Sequence, residues 1–415
     1  MKIVAAIFLL INLLAFSSEK DYLSSHVKGI DLENYREESF IYLDDQTQSK
    51  VFFSGEYHGF EENYKIRFQL IKYFYEEHGI RRYLGELGYS SGYFLNKYLE
   101  TGEEKYLNIV NYSLEGSYDF SKDDYEFWKA LYIYNKELPK GEKIKVYGLD
   151  MDLQYWIPVL AVNDLLEKLD IDKVDPEDRE AMQSAKTLFK EVSDVILPPE
   201  MDSKDIYKNM RRVVKEGKLR HRKKEVVDAF KISRLNFILE RTMAEKYYSQ
   251  EELVDIEAII HNALNTLEFL DFRASEEISF HMRERFIFEN FIRLFKAFPH
   301  DEFYGQWGRF HISGREGSSE IRFAQLVEDF APNFYKNITA IEFVYNDKTH
   351  PDYKKKRVRE KLKILSKYIP ENSGAAIFDL RKLPKESKVL DRSERRYIKY
   401  IIIINSPTAA EKLNK

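Results

Sequence analysis

Residues 51–68 read VFFSGEYHGFEENYKIRF. The first five are apolar or small, with a β-branched valine and two phenylalanines, as a buried strand requires. A glycine-flanked turn follows, and from Glu62 the apolar residues recur at helical spacing up to residue 78. A strand that feeds a helix through a short turn is the unit from which parallel sheets are built. The same turn gathers chemistry: Glu56, His58, Glu61 and Glu62 fall within seven residues, in a chain with only nine histidines.

Other apolar runs bounded by polar turns predict further strands at 40–43 (FIYL), 81–87, 143–150, 302–308, 338–345, 375–380 and 397–405. Helical periodicity lies between them, over 122–137 and 317–331 among others. The class predicted is α/β, a mainly parallel twisted sheet flanked by helices. The last two strands are joined by a short charged connection, which suits an antiparallel edge. From about 153 to 299 no strand pattern occurs, and this stretch is expected to be a large all-helical insertion. The organisation expected is a signal peptide at 1–17, a first part of the α/β domain at 18–152, the insertion at 153–299 and a second part at 300–415.

The signal peptide rests on one lysine, an uncharged apolar run from Ile3 to Phe16, and small residues at Ala15 and Ser17. The run is short for a membrane span, though an uncleaved anchor is the alternative. The expectation is an exported protein, periplasmic or secreted, with no membrane span in its mature form. The absence of cysteine excludes disulfides and a lipoprotein anchor. With 65 basic and 70 acidic residues the formal charge is −5, which gives no reason to expect nucleic acid as a partner. The basic cluster at 211–224 reads as a solvated helical edge. The partner expected is a small-molecule substrate.

In parallel sheets, ligands gather at the carboxyl ends of strands. Four predicted strands end in polar groups: Glu56 and His58, then Glu86, then Asp150, then His311 after the run GQWGRF. Each has a plainer reading. His58 can bond a turn, Glu86 can pair with Arg67, and Asp150 can cap a helix starting near Leu153. Together they suit hydrolysis without a covalent nucleophile. A histidine can take a proton from water at neutral pH, and a carboxylate such as Glu86 can orient it. There is no cysteine to serve as a thiolate nucleophile. Zinc or manganese held by His58, His311, Glu56 and Glu86 is the rival chemistry, without an H-E-x-x-H pair behind it.

These residues resemble the erythromycin esterase family and its wider superfamily, which includes haem-binding iron-uptake proteins and membrane-tethered metalloproteases. The esterases open with G-E-x-x-H-G, a glutamate four residues after the histidine, an arginine nine after it, and a strand glutamate about nineteen further on. Here Glu62, Arg67 and Glu86 stand at those spacings from His58. YGLDMD (147–152) is similar to the family's G-x-D-M segment. RERFIFEN (283–290) is similar to its helical R-[ED]-x-x-x-x-E-N motif through Arg283, Glu284, Glu289 and Asn290. The chain departs in two places. Glu56 and His58 are two apart rather than three, and the H-N-x-H strand end is represented by Gly308–His311, without its first histidine. Gln306 and Arg309 are the polar groups nearby in sequence.

The resemblance implies a metal-independent, esterase-like hydrolase needing no cofactor, with His58 as general base and Glu86 as its partner. Glu56, Arg67 and His311 complete the catalytic set. Glu62, Arg283, Glu284, Asn290 and Gln306 are the substrate-binding candidates. A macrolide is not the expected substrate, because the helical segment carries no readable specificity for one. Two alternatives stay open: a metal-dependent hydrolase of the same superfamily, and a non-catalytic haem or ligand binder. The second draws on 29 tyrosines and on Tyr57 beside His58.

Overall fold

The computed structural model describes residues 19–44, 49–154, 156–218, 222–239, 248–271, 276–312, 322–330, 338–391 and 394–413. The expected signal peptide and residues 317–321 and 331 of one expected helix lie outside them. The protein is α/β, and the described residues form eight strands: β1 (Val27–Ile30), β2 (Val51–Glu56), β3 (Arg82–Gly88), β4 (Lys145–Asp150), β5 (Phe303–Gly308), β6 (Ile338–Asn346), β7 (Ala375–Asp379) and β8 (Ile398–Asn405). Compactness divides the chain after Arg81 and after Asp301. One unit takes in the residues up to Arg81 together with Glu302–Glu411, and the other Arg82–Asp301 with residues 412 and 413.

In the first unit six strands lie in the order β1-β7-β8-β6-β2-β5. Pairs β2/β5, β2/β6 and β6/β8 are parallel, whereas β7/β8 and β1/β7 are antiparallel. The antiparallel partner expected near the end of the chain is therefore present, and β1 lies outside it. Every residue of β2 is buried, as a strand with both faces covered must be. Alternation sorts its side chains. Phe52 packs on Phe74 of the helix Glu61–His78, with ring centroids 4.6 Å apart, and Phe53 packs on Phe323 of the helix Phe323–Phe330 at 5.4 Å. Farther along the sheet, Val344, Phe378, Ile401 and Ile403 meet Val358, Leu362 and Leu365 of the helix Lys356–Leu365.

The expected strand at 40–43 is absent. Residues Glu37–Ser39 and Ile41–Leu43 form two 3₁₀ turns. Phe40 and Leu43 are both fully buried, and the Leu43 amide donates to the Phe40 carbonyl at 2.8 Å. An i, i+3 turn places both on one side, while Ile41 stays exposed, a pattern that strand alternation cannot produce. The strand that does form nearby is β1, four residues carrying Lys28 and Gly29, too short and too polar to read from its pattern.

In the second unit β3 and β4 pair in parallel. The helix Tyr89–Thr101 leaves directly from β3 and lies close to β4: a Cβ on Gly92 would stand 2.5 Å from the Gly148 amide nitrogen, and one on Gly148 would stand 2.2 Å from the Gly88 carbonyl oxygen. Only glycine permits that approach. Asn96 on the same helix bonds both the amide and the carbonyl of Val146, at 2.8 Å each. Among the described residues between 153 and 299 the regular elements are helices, from Trp156–Glu167 to Glu276–Ala297.

Candidate functional site

The first unit builds its polar cluster at the carboxyl end of β2. Parallel pairing sets Ser54 opposite Gln306 and Glu56 opposite Gly308. Glu56 is buried, and its Oε1 lies 2.9 Å from Nδ1 of His58, whose side chain is 28 % exposed. Its other oxygen accepts a hydrogen bond from Gln306 Nε2 and stands 3.6 Å from Nη2 of the buried Arg67. Gln306 is itself fixed: its Oε1 accepts from the Ser54 hydroxyl at 3.2 Å, and its Nε2 also donates to the Asn63 carbonyl at 3.0 Å. Burial works to raise the Glu56 pKa, but the bonds from His58 and Gln306 and the charge of Arg67 prevail and hold it below the usual range. An ionised carboxylate can only accept, so His58 carries its neutral-state proton on Nδ1 and its lone pair on Nε2.

The turn bearing His58 is held from two sides. Gly59 has φ of 89°, the left-handed region that glycine enters without strain. The Tyr345 hydroxyl accepts from the Tyr57 amide at 2.9 Å and lies 2.7 Å from Asn63 Oδ1, while Asn63 Nδ2 donates to the Tyr57 carbonyl at 2.8 Å. On the far side the Gly59 carbonyl accepts from the Ala410 amide at 2.9 Å. Glu62, a substrate-binding candidate from the sequence, is buried, and both of its oxygens lie 3.0 Å from the Thr408 amide. His311 sits in the short helix Arg309–Ile312 that follows β5, buried and edge-on to Trp307 with centroids 5.8 Å apart. Arg309 is paired with Asp352 at 2.6 Å.

The second unit holds the other candidates. Arg283, on the helix Glu276–Ala297, reaches both oxygens of Asp150 through Nε, at 3.0 and 3.1 Å, and donates from Nη2 to Glu86 at 3.1 Å. Burial opposes its charge, but Asp150 and Glu86 raise its pKa above the ordinary value. Asp150 is therefore no cap for a helix near Leu153. The helix after it starts at Trp156, and the carboxylate is paired with Arg283. Asn290 donates from Nδ2 to the Leu149 carbonyl at 2.8 Å and to Asn262 Oδ1 at 3.1 Å. Asn262 in turn donates to the Asp150 carbonyl at 3.0 Å and to Asp152 at 2.9 Å. Glu284 is fully buried, and Glu289 pairs with Arg285 at 2.8 Å.

Ser90, Asp152 and Asn262 are members of this second cluster that sequence reasoning did not single out. The signal for Asp152 was present in YGLDMD, but nothing local shows that its carboxylate accepts from the Ser90 amide at 3.2 Å and the Ser90 hydroxyl at 2.8 Å. Burial pushes Asp152 from 3.8 up to about 6, against the opposing bonds from Ser90 and Asn262. An acid whose pKa is raised by folding binds its proton more tightly in the native state. Its contribution to stability is therefore full below about pH 4 and is lost as pH rises toward 6. The resulting loss is about 2.4 kcal/mol between pH 4 and 7. Urea titrations at those two pH values should show a steeper decline for the wild type than for Asp152→Asn; equal declines would refute the assignment.

No protein-family model and no curated protein matches the chain. Solved structures do resemble it. A Bacillus cereus protein aligns with a TM-score of 0.64 at 13 % identity, over 96 % of this chain and 99 % of that one. A succinoglycan biosynthesis protein aligns at 0.61 and 15 %, over 96 % and 99 %. A mutant of erythromycin esterase EreC in its open conformation aligns at 0.59 and 16 %, over 94 % and 100 %. At these identities the likeness establishes a related fold. Among the described residues no helix is long and apolar enough to cross a membrane.

Proposed function

We propose that the protein hydrolyses an ester or related acyl bond of a small molecule, with His58 as the base that activates water. The observation that carries this reading is the chain Gln306–Glu56–His58: a buried, ionised carboxylate, itself held by an amide, receives the Nδ1 proton of a partly exposed histidine at a strand end. That arrangement directs the basic nitrogen, Nε2, away from its support and stabilises the imidazolium formed when it takes a proton. In the reaction His58 Nε2 removes a proton from water as the oxygen adds to the acyl carbon. The tetrahedral intermediate collapses with cleavage of the bond to the leaving oxygen, which takes the same proton back. Water is consumed, acid and alcohol are released, and His58 is restored. The likeness in fold to an erythromycin esterase supports a hydrolase of this general kind and leaves the acyl group open.

The test is a panel of activated esters offered to the wild type and to His58→Ala, with and without a chelator. The expected result is a loss of 10²- to 10⁴-fold in His58→Ala at unchanged circular dichroism, with the chelator without effect. An unaltered rate in His58→Ala would remove the histidine from the mechanism. Loss of wild-type activity on chelation would replace water activation by His58 with activation by a bound metal.

A further inference from the structure

The sequence that follows β8 runs Ser406-Pro-Thr-Ala-Ala410 and lies antiparallel to the turn and first helical residues after His58. The Ala410 amide donates to the Gly59 carbonyl at 2.9 Å, and the Glu61 amide donates to the Thr408 carbonyl at 2.9 Å. Between them Phe60 and Ala409 form an antiparallel bridge. Glu62 then takes the Thr408 amide with both oxygens, at 3.0 Å each.

We infer that this strap is a positioning element for His58, with Glu62 as the side chain that fixes it. The inference rests on the reading of His58 as a base. The turn has two supports. Tyr345 and Asn63 hold Tyr57, which precedes the histidine, and the strap holds Gly59 and Phe60, which follow it. With both in place the backbone at 58 has little freedom, and the imidazole meets Glu56 along one direction. A general base must be held within about 0.5 Å of its productive place. Glu62 belongs to this task through its geometry. It lies in the first turn of the helix Glu61–His78, is buried, and spends both oxygens on a backbone amide of the strap rather than presenting them to a substrate. Burial raises its pKa, against the opposing bonds from the Thr408 amide and hydroxyl and from its own amide.

Two substitutions loosen the strap by different routes. Ala410→Pro deletes the N–H given to Gly59 and leaves Glu62 untouched. Glu62→Met removes the acceptor, while Glu62→Gln keeps one oxygen for the Thr408 amide. Steady-state ester hydrolysis and the proton resonance of His58 Nδ1–H are followed in all of them. Ala410→Pro and Glu62→Met should each lower kcat on the order of 10- to 100-fold with KM within about twofold, and should broaden or erase that resonance. Glu62→Gln should restore most of both. A wild-type rate and resonance in Ala410→Pro and Glu62→Met would overturn the inference. So would a loss in Glu62→Gln equal to that in Glu62→Met and expressed as a raised KM, since Glu62 would then be a substrate ligand. Should the wild type hydrolyse no ester, the reading of His58 as a base fails on its own, and the resonance alone decides whether the strap positions the ring.

Discussion

Glu56→Gln should reduce ester hydrolysis by about 10⁴-fold while the protein remains folded, the size seen when the orienting carboxylate of a catalytic histidine is made an amide. The change is nearly isosteric, so its effect comes from hydrogen-bond polarity. Gln306 Nε2 donates both to Glu56 and, at 3.0 Å, to the Asn63 carbonyl. An amide at 56 has one oxygen. If that oxygen stays with Gln306, the new NH₂ faces His58 Nδ1, which must then accept, so its proton moves to Nε2 and the nitrogen meant to act as base is blocked. If the oxygen turns to His58, two NH₂ groups face each other in a buried place. A compensating flip of Gln306 would set its oxygen against the Asn63 carbonyl. No orientation satisfies all three groups and keeps Nε2 basic. The measurement is kcat/KM on an activated ester beside a thermal unfolding curve. A loss below tenfold would mean that the Glu56–His58 bond is structural only.

How much of this was visible beforehand depends on whether the information was local. The central strands announced themselves because each is apolar on both faces, and the helix Glu61–His78 because its period is long and unbroken. FIYL misled because four apolar residues fit a strand or a 3₁₀ turn equally well, and only the joint burial of Phe40 and Leu43 separates the two. At the candidate site, the concentration of polar residues in a glycine-flanked turn was legible. Its wiring was not. Gln306 faces Ser54 only because β5 pairs with β2 in one register, and Glu62 meets Thr408 only because the chain returns there after β8. Asp150 shows the same limit. Beside a helix start, capping is the natural local reading, and only an arginine far along the chain claims the carboxylate instead.

A second large effect is expected at Lys361. Its side chain is 1 % exposed, and its ammonium lies 2.5 Å from Glu342 and 2.8 Å from Glu394. Arg357 adds a bond to Glu394 at 2.7 Å, and Arg309 approaches Glu342 at 3.7 Å. Two carboxylates with little solvent thus converge on one buried cation. Lys361→Met preserves the length of the stem and removes the charge between them. Breaking a buried ionic group in this way costs about 3–5 kcal/mol, because the carboxylates keep their desolvation and lose their compensation. Burial would raise the Glu394 pKa, but Lys361 and Arg357 hold it below its ordinary 4.5. A depressed acid contributes stability above its unfolded pKa, which is lost as pH falls through the folded value. The deficit of Lys361→Met should therefore be largest at neutral pH and shrink in acid, where both states carry a protonated Glu394. Adding Glu342→Leu and Glu394→Gln to Lys361→Met should recover most of the loss, since removing a whole buried ionic group is often neutral. Urea unfolding at pH 7 checks both, and a deficit under about 1 kcal/mol in Lys361→Met would place the network among weakly coupled surface pairs. The consequence reaches the candidate site, because Glu342 lies on β6 directly opposite Gly55 of β2, one residue before Glu56. A Glu342 carboxylate left with only the more distant Arg309 strains the strand pair from which the His58 turn departs, so the same substitution should also weaken hydrolysis.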